Sequence, residues 1–161
     1  MRKCLLLAMI LFSIASLSIP AIAQDRPIQL ALVAPVQIFP ESYSITGLRI
    51  SLIYGKNASV SGLDWGLVTH TTSGKSMGID WGAINLTDAD FTGLQGGWVN
   101  LVSGNFEGLQ YGFFNHANYA NGVQFGIINH ANRLKGVQVG FVNIIKQGGQ
   151  FPVFPIVNWS F

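Results

Sequence analysis

Hydrophobic and polar residues alternate within an eight-residue block that recurs along most of the chain. Each block begins with Gly, places large apolar residues at its second, fourth and sixth positions, and ends on Asn in its clearest copies, as in residues 108–115. Seven clear copies begin at Gly47, Gly62, Gly78, Gly93, Gly108, Gly122 and Gly136, and a degenerate eighth spans residues 151–158. A period of two predicts a β-strand that is buried on one side. We therefore expect the apolar side to be buried, and the small Gly-Gln-Gly side to permit close approach or bending.

The step between copies is 14–16 residues, which is too short for a strand, a helix and two turns. The fold class predicted is all-β: a β-solenoid of about eight coils with atypical capping segments. In such a stack, equivalent positions lie about 4.8 Å apart. A directional motif and connections of uniform length favour parallel coils. So does an apolar residue that recurs two positions before the Gly, as Ile45, Val60, Phe91, Phe106, Ala120 and Leu134.

A small antiparallel outer-membrane β-barrel is the alternative architecture. Its support is the alternating end of the chain, residues 157–161, which finishes on an aromatic residue, as the strands of such barrels do. Pro152 and Pro155 count against it, because proline cannot donate to a central strand ladder.

The first residues have the pattern of a secretory signal peptide. A basic start, an apolar run and an Ala-x-Ala site predict cleavage after Ala23. The expected organisation is a signal peptide at 1–23, an N-terminal capping segment at 24–46, a β-repeat domain at 47–150 and a C-terminal capping segment at 151–161. Cleavage would remove the only cysteine and leave seven basic and seven acidic residues, so that neither disulfides nor charge steering is expected.

Composition excludes two broad classes. Of 161 residues only 10% are charged, whereas 12% are aromatic, which is the opposite of the balance found in disordered chains. A formal charge of +2 excludes a strongly basic nucleic-acid-binding protein.

The repeats, framed by PVQIFPES (35–42) and FPVFPIVNWSF (151–161), resemble a bacterial surface-repeat family built from G-[LV]-Q-x-G-[LFI]-[VIF]-N units. The resemblance implies an exported bacterial protein associated with the cell surface or outer membrane, and it brings no catalytic residues. The chain departs from the family pattern at Arg49, Asp64 and Asp80, which replace Gln, and at Tyr54 and Thr69, which replace Asn.

Stacking would align equivalent side chains in columns. The third position gives an amide column at Gln95, Gln110, Gln124 and Gln138, with Arg49, Asp64 and Asp80 below it. Such amides can bond to one another along the stack, or form an exposed stripe that binds glycan or a protein partner. An Asn column follows at the eighth position, where it can bond backbone groups at a turn.

Three further groups of side chains are candidates for a catalytic, metal-binding or core role. Asp64 and Asp80 would be neighbours at a separation that suits a retaining glycosidase, although Arg49 and Gln95 can also satisfy them. His116 and His130 would stack, but two imidazoles are fewer ligands than a metal site needs, so no metal or cofactor is expected. The aromatic column of Trp65, Trp81, Tyr111 and Phe125 is interpreted as core stacking.

The function expected is that of a non-enzymatic exported surface or envelope repeat protein with a structural or binding role. The expected partners are envelope components or glycan, with membrane association but no nucleic acid. The periplasm is the alternative to the cell surface or outer membrane. An integral outer-membrane barrel and an exported glycan hydrolase using Asp64 and Asp80 are the alternative functions.

Overall fold

The computed structural model describes residues 25–161, and the expected signal peptide at 1–23 lies outside them. The described chain is all-β. Its strands are β1 (Asp25–Val33), β2 (Val36–Gln37), β3 (Ser44–Asn57), β4 (Val60–Thr71), β5 (Ser76–Thr87), β6 (Phe91–Gly96), β7 (Val99–Gln147) and β8 (Val153–Ser160). Within this part of the chain, no helix is long and apolar enough to cross a membrane.

Neighbouring copies of the motif run parallel and in register. Gly47 pairs with Gly62, which pairs in turn with Gly78, and the same pairing continues through Gly93 to Gly108. The long β7 winds through the remaining copies. The result is a β-solenoid of about six turns, which confirms the predicted architecture. Parallel copies are incompatible with the antiparallel alternative.

Two features of the backbone require glycine at the first position of the motif. At these glycines φ lies between +122° and +145°, a region that residues with a Cβ rarely adopt. A Cβ on Gly122 would also lie 2.1 Å from the carbonyl oxygen of Gly108 in the coil below. The coils therefore stack closely only because this corner carries no side chain.

The two ends of the stack depart from the parallel pattern. At the N-terminal end β2 pairs antiparallel with β1, and the Gln29 side chain bonds both the N–H and the carbonyl oxygen of Phe39, at 3.0 and 2.8 Å. At the C-terminal end β8 pairs antiparallel with the last part of β7, Ser160 opposite Gly136. The solenoid between these segments has about six turns, which is close to the eight copies counted along the sequence.

The interior has an apolar side and a polar side. The connections between copies supply the apolar cluster, which includes Phe91, Phe106, Leu134, Val102 and Ile145. The apolar residues two positions before each Gly are all buried, which confirms that the connections line a core. The motif copies supply the polar side through their Gln and Asn side chains, none of which is exposed.

The prediction about which side of the motif is buried is wrong. The large apolar residues of the even positions face outward, whereas Gly, Gln, Gly and Asn face inward. In the copy at 108–115, Tyr111 and Phe113 are 51% and 59% exposed, whereas Gln110 and Asn115 are fully buried. The physical reason is that amide side chains stacked in register satisfy one another, so that burying them leaves few polar atoms unpaired.

Candidate functional site

The column of glutamines is a continuous hydrogen-bonded ladder inside the solenoid. Gln110 Nε2 donates to Gln95 Oε1 at 3.0 Å, Gln124 to Gln110 at 2.7 Å and Gln138 to Gln124 at 2.7 Å. This confirms the prediction that stacked amides bond along the axis. The alternative, an exposed binding stripe at Gln95, Gln110, Gln124 and Gln138, is wrong because none of these side chains reaches solvent.

A second ladder of asparagines shapes the backbone. Asn115 Nδ2 donates to Asn129 Oδ1 at 2.8 Å and also to the carbonyl oxygen of Phe125 at 3.0 Å. The equivalent bonds recur from Asn100 and Asn129. Each Asn therefore holds the fourth-position carbonyl of the next coil toward the interior. The prediction that this column bonds backbone groups is confirmed.

The fifth position must be glycine because of this arrangement. A Cβ on Gly126 would lie 2.0 Å from the carbonyl oxygen of Gly112 and 2.6 Å from Asn115 Nδ2. The backbone at the fifth position thus packs directly against the asparagine ladder. The chain is drawn inward between the outward-facing fourth and sixth side chains.

The charged end of the third-position column is sealed from solvent. Arg49 Nε donates to Asp64 Oδ1 at 2.8 Å and Arg49 Nη1 to the His70 carbonyl oxygen at 2.9 Å. Asp80 accepts from Thr69 Oγ1 at 2.8 Å and from Gln95 Nε2 at 3.1 Å. The prediction that Arg49 and Gln95 satisfy the two carboxyls is confirmed.

Burial changes the acidity of both carboxyls. It raises the pKa of Asp64, and the Arg49 guanidinium opposes that rise. Burial, together with the neighbouring Asp64 carboxylate, raises the pKa of Asp80 to about 7. The pair is adjacent, as expected for a retaining glycosidase, but both side chains are almost fully buried, so that a polysaccharide cannot reach them.

The histidines lie on the outer corner after the eighth position. His116 Nδ1 and His130 Nδ1 are 2.6 Å apart and their rings stack at 4.7 Å, as the sequence predicts. Burial lowers the pKa of both imidazoles. His70 is separate from them and bridges the Tyr54 hydroxyl, at 2.7 Å, and the Asp88 carboxylate, at 2.9 Å. Among residues 25–161 no group of three potential metal-ligating side chains lies together.

The outer surface of the motif copies is an apolar wall. We use this name for the outward side chains of the second, fourth, sixth and seventh positions. The predicted core column Trp65, Trp81, Tyr111 and Phe125 belongs to it and is 47–51% exposed. The core interpretation of that column is therefore wrong.

Charged residues are excluded from this wall. Within the eight copies the only charged residues are Arg49, Asp64 and Asp80, and all three are buried. The other charged side chains described lie on the segments that connect the copies or, as Arg26 and Glu41, before the first copy. Within the repeats, the motif copies therefore form an apolar side and the connections carry the exposed charge.

A groove runs along the wall between the fourth and sixth positions. Its floor is the backbone of the fifth-position glycines, it is open to solvent along its length, and its volume is about 970 Å³. We call it the central groove. Its ridges are Trp65, Trp81, Tyr111, Phe125 and Val139 on one side and Leu67, Ala83, Trp98, Phe113, Ile127 and Phe141 on the other.

The wall and the groove were not among the features predicted from the sequence, although variation among the copies carried a signal for them. The fifth position is Gly in six copies, and the third is Gln in four, whereas the fourth changes from Trp to Tyr, Phe and Val. Tight packing around a ladder restricts the inward positions, whereas solvent-facing ones tolerate differences in volume. The uniform positions therefore marked the inside of the coil.

Comparison with protein-family models, with curated proteins and with solved structures returned no match to this chain.

Proposed function

We propose that this protein is a non-enzymatic, exported repeat protein of the bacterial envelope that attaches to membrane lipid through its apolar wall. The observation that carries this proposal is the wall itself: a half-exposed apolar surface without charged side chains. Exposed apolar patches larger than a few hundred Å² mark sites of interaction with proteins, ligands or membranes.

Chemistry favours lipid over a protein partner. Protein interfaces carry about one hydrogen bond per 100–200 Å² and are enriched in Arg. On this wall the second and seventh positions offer only aliphatic and aromatic side chains, such as Leu63, Ile79, Ile128 and Val142. A lipid hydrocarbon surface requires no polar contacts. The charged connections on the opposite side, including Glu107, Arg133 and Lys135, would then face water.

The location proposed is the cell surface or outer membrane, with the periplasm as the alternative. The signal-peptide pattern and the family resemblance support export. We propose no catalytic role, since the paired carboxyls Asp64 and Asp80 are buried, and we propose neither a cofactor nor nucleic acid as a ligand.

Vesicle flotation tests the attachment. The full chain is expected to float with neutral phosphatidylcholine vesicles and to remain bound at high salt, because apolar burial is not screened by ions. Ile128→Lys should weaken flotation, because it introduces a charge on the wall. Glu107→Lys, on an exposed connection, is the matched control and should float normally.

Two results would contradict the proposal. One is failure of the wild-type protein to float. The other is flotation that only anionic vesicles support and that salt abolishes, since that pattern would place binding on the charged side. A wall buried between two copies would be detected as a dimer by light scattering and would also prevent flotation.

A further inference from the structure

We propose that the central groove binds one extended acyl chain, the hydrocarbon tail of a single-chain lipid of the fatty-acid class. This inference rests on the proposed function in that lipid is the partner. It goes further by assigning a site for an individual chain, distinct from the rest of the apolar wall.

The lining of the groove selects an uncharged, apolar occupant. Among the residues that line it, none is charged, and hydroxyl groups occur only at Ser51 and Tyr111. The ridges are formed by aromatic and aliphatic side chains such as Trp81, Phe113 and Ile127. Methylene groups buried there would replace contact with water by contact with apolar side chains, which is favourable.

The shape of the groove selects a linear occupant. It extends from Leu52 in the first copy of the motif to Phe141 in the seventh, and six steps of roughly 4.8 Å give a length of about 29 Å. One leaflet of a bilayer is about half of a 30 Å hydrocarbon core, so the groove is about twice as long as the depth that an acyl chain spans in a leaflet. Glycine along the floor leaves the passage free of side chains.

A peptide is a poor occupant of this groove. Peptides that add to sheets pair with a free strand edge, whereas the groove crosses the face of the sheet. Fourth-position carbonyls at its floor, such as those of Phe125 and Val139, already accept hydrogen bonds from asparagine side chains in the interior. A docked peptide would bury its own N–H and C=O groups without partners, which is unfavourable. A hydrocarbon chain has no such groups.

Intrinsic tryptophan fluorescence reports on this site. Trp65, Trp81 and Trp98 line the groove, whereas Trp159 lies on β8 against Phe151. In the Trp159→Phe variant, tryptophan fluorescence therefore comes only from the three tryptophans that line the groove. A dibrominated stearic acid, added below its micelle concentration and without vesicles, is expected to quench this emission saturably. Saturated fatty acids should displace it, with affinity increasing about fourfold per added methylene until the groove is filled.

A matched pair of variants tests the position of the chain. Ile127 lines the groove, and its neighbour Ile128 lies on the wall outside it, with 45% and 36% of their surface exposed. Ile127→Lys should weaken binding of the brominated acid by about tenfold or more, because the chain would bury an unpaired charge. Ile128→Lys should bind the acid normally while floating poorly with vesicles. Ala83→Phe, which narrows the groove without adding charge, should also weaken binding of the acid.

Each contrary result has a definite meaning. Equal effects of Ile127→Lys and Ile128→Lys on quenching, or affinity that does not depend on chain length, would overturn the groove assignment. A groove occupied by a second copy would appear as a dimer that the acid does not dissociate, and would also overturn it. Normal flotation with failed quenching refutes this inference alone, whereas normal quenching with failed flotation refutes the proposed function alone.

Discussion

Replacing Asp80 with Asn tests whether the polar interior is as dry as the structure requires. Asp80 is 4% exposed and is stacked between the Asp64 carboxylate and Gln95. Arg49 pairs with Asp64, so Asp80 is the carboxyl of this column that has no cation against it. Burial first, and Asp64 second, raise its pKa from 3.8 to about 7.

The direction of the pH dependence follows from that shift. The folded protein holds the Asp80 proton more tightly than the unfolded chain between pH 3.8 and about 7. The stability that protonated Asp80 contributes to the free energy of unfolding is therefore complete below pH 3.8. It falls as pH rises from 3.8 to about 7 and is lost above that pH. A shift of about three units corresponds to about 4 kcal/mol, at roughly 1.4 kcal/mol per unit.

Asparagine at position 80 preserves the shape of the Asp80 side chain and one acceptor oxygen, but it has no carboxyl group to titrate. Its oxygen can still accept from Thr69 or Gln95. We therefore expect the stability of the Asp80→Asn variant, relative to wild type, to increase by about 4 kcal/mol between pH 4 and pH 8. Urea unfolding followed by circular dichroism at several pH values measures this difference.

The matched control is Glu107→Gln, which removes an exposed carboxyl from a connection. Its stability curve should follow that of wild type at every pH. If Asp80→Asn also follows the wild-type curve, then water or a bound cation must solvate Asp80, and the reasoning about a sealed ladder fails.

Three further predictions concern packing and the histidines. Phe125→Ala should reduce the free energy of unfolding by less than about 2 kcal/mol, below the 3–5 kcal/mol typical of a buried Phe, because Phe125 is 47% exposed; a larger loss in urea titration would contradict its outward position. Gly126→Ala should reduce it by about 3 kcal/mol, because the Cβ would lie 2.0 Å from the Gly112 carbonyl oxygen; an unchanged melting temperature would show that the coils are not stacked this closely. Burial lowers the pKa of His116 and His130, so their contribution to stability is present above pH 6.5 and lost as pH falls below it. Replacing both with Leu, as in the two preceding coils, should remove that acid-side loss in thermal melts; an undiminished loss would assign it to other groups.

Much of the fold could be predicted from the repeat alone. A directional motif recurring every 14–16 residues predicts parallel coils, because antiparallel neighbours would invert it at alternate strands. In-register stacking then predicts the columns, including the Gln ladder, the Asp64–Asp80 contact and the His116–His130 pair. These follow from sequence spacing, since the strand period and the coil step together determine which residues become neighbours.

The candidate site could not be predicted in the same way. An alternation such as Leu109, Gln110, Tyr111 shows that a strand has two different faces, but not which of them is inside. Apolar burial usually decides that question. Here the opposite holds, because the buried amides find their hydrogen-bond partners in the side chains and backbone carbonyls of neighbouring coils, and that arrangement exists only once the coils are stacked.

The sequence by itself therefore determined that the coils run parallel, which residues pair between neighbouring coils, and that the connections line the apolar core. Only the tertiary structure decided that the aromatic residues face outward and that Asn115 and its equivalents draw the backbone in to form a groove. The physical reason is that hydrogen-bond satisfaction is a property of the assembled ladder, whereas hydrophobicity is a property of each residue. The hydrophobicity of residues such as Gln124 and Phe125 can be read from the sequence. Their hydrogen-bond partners are determined only when the coils stack.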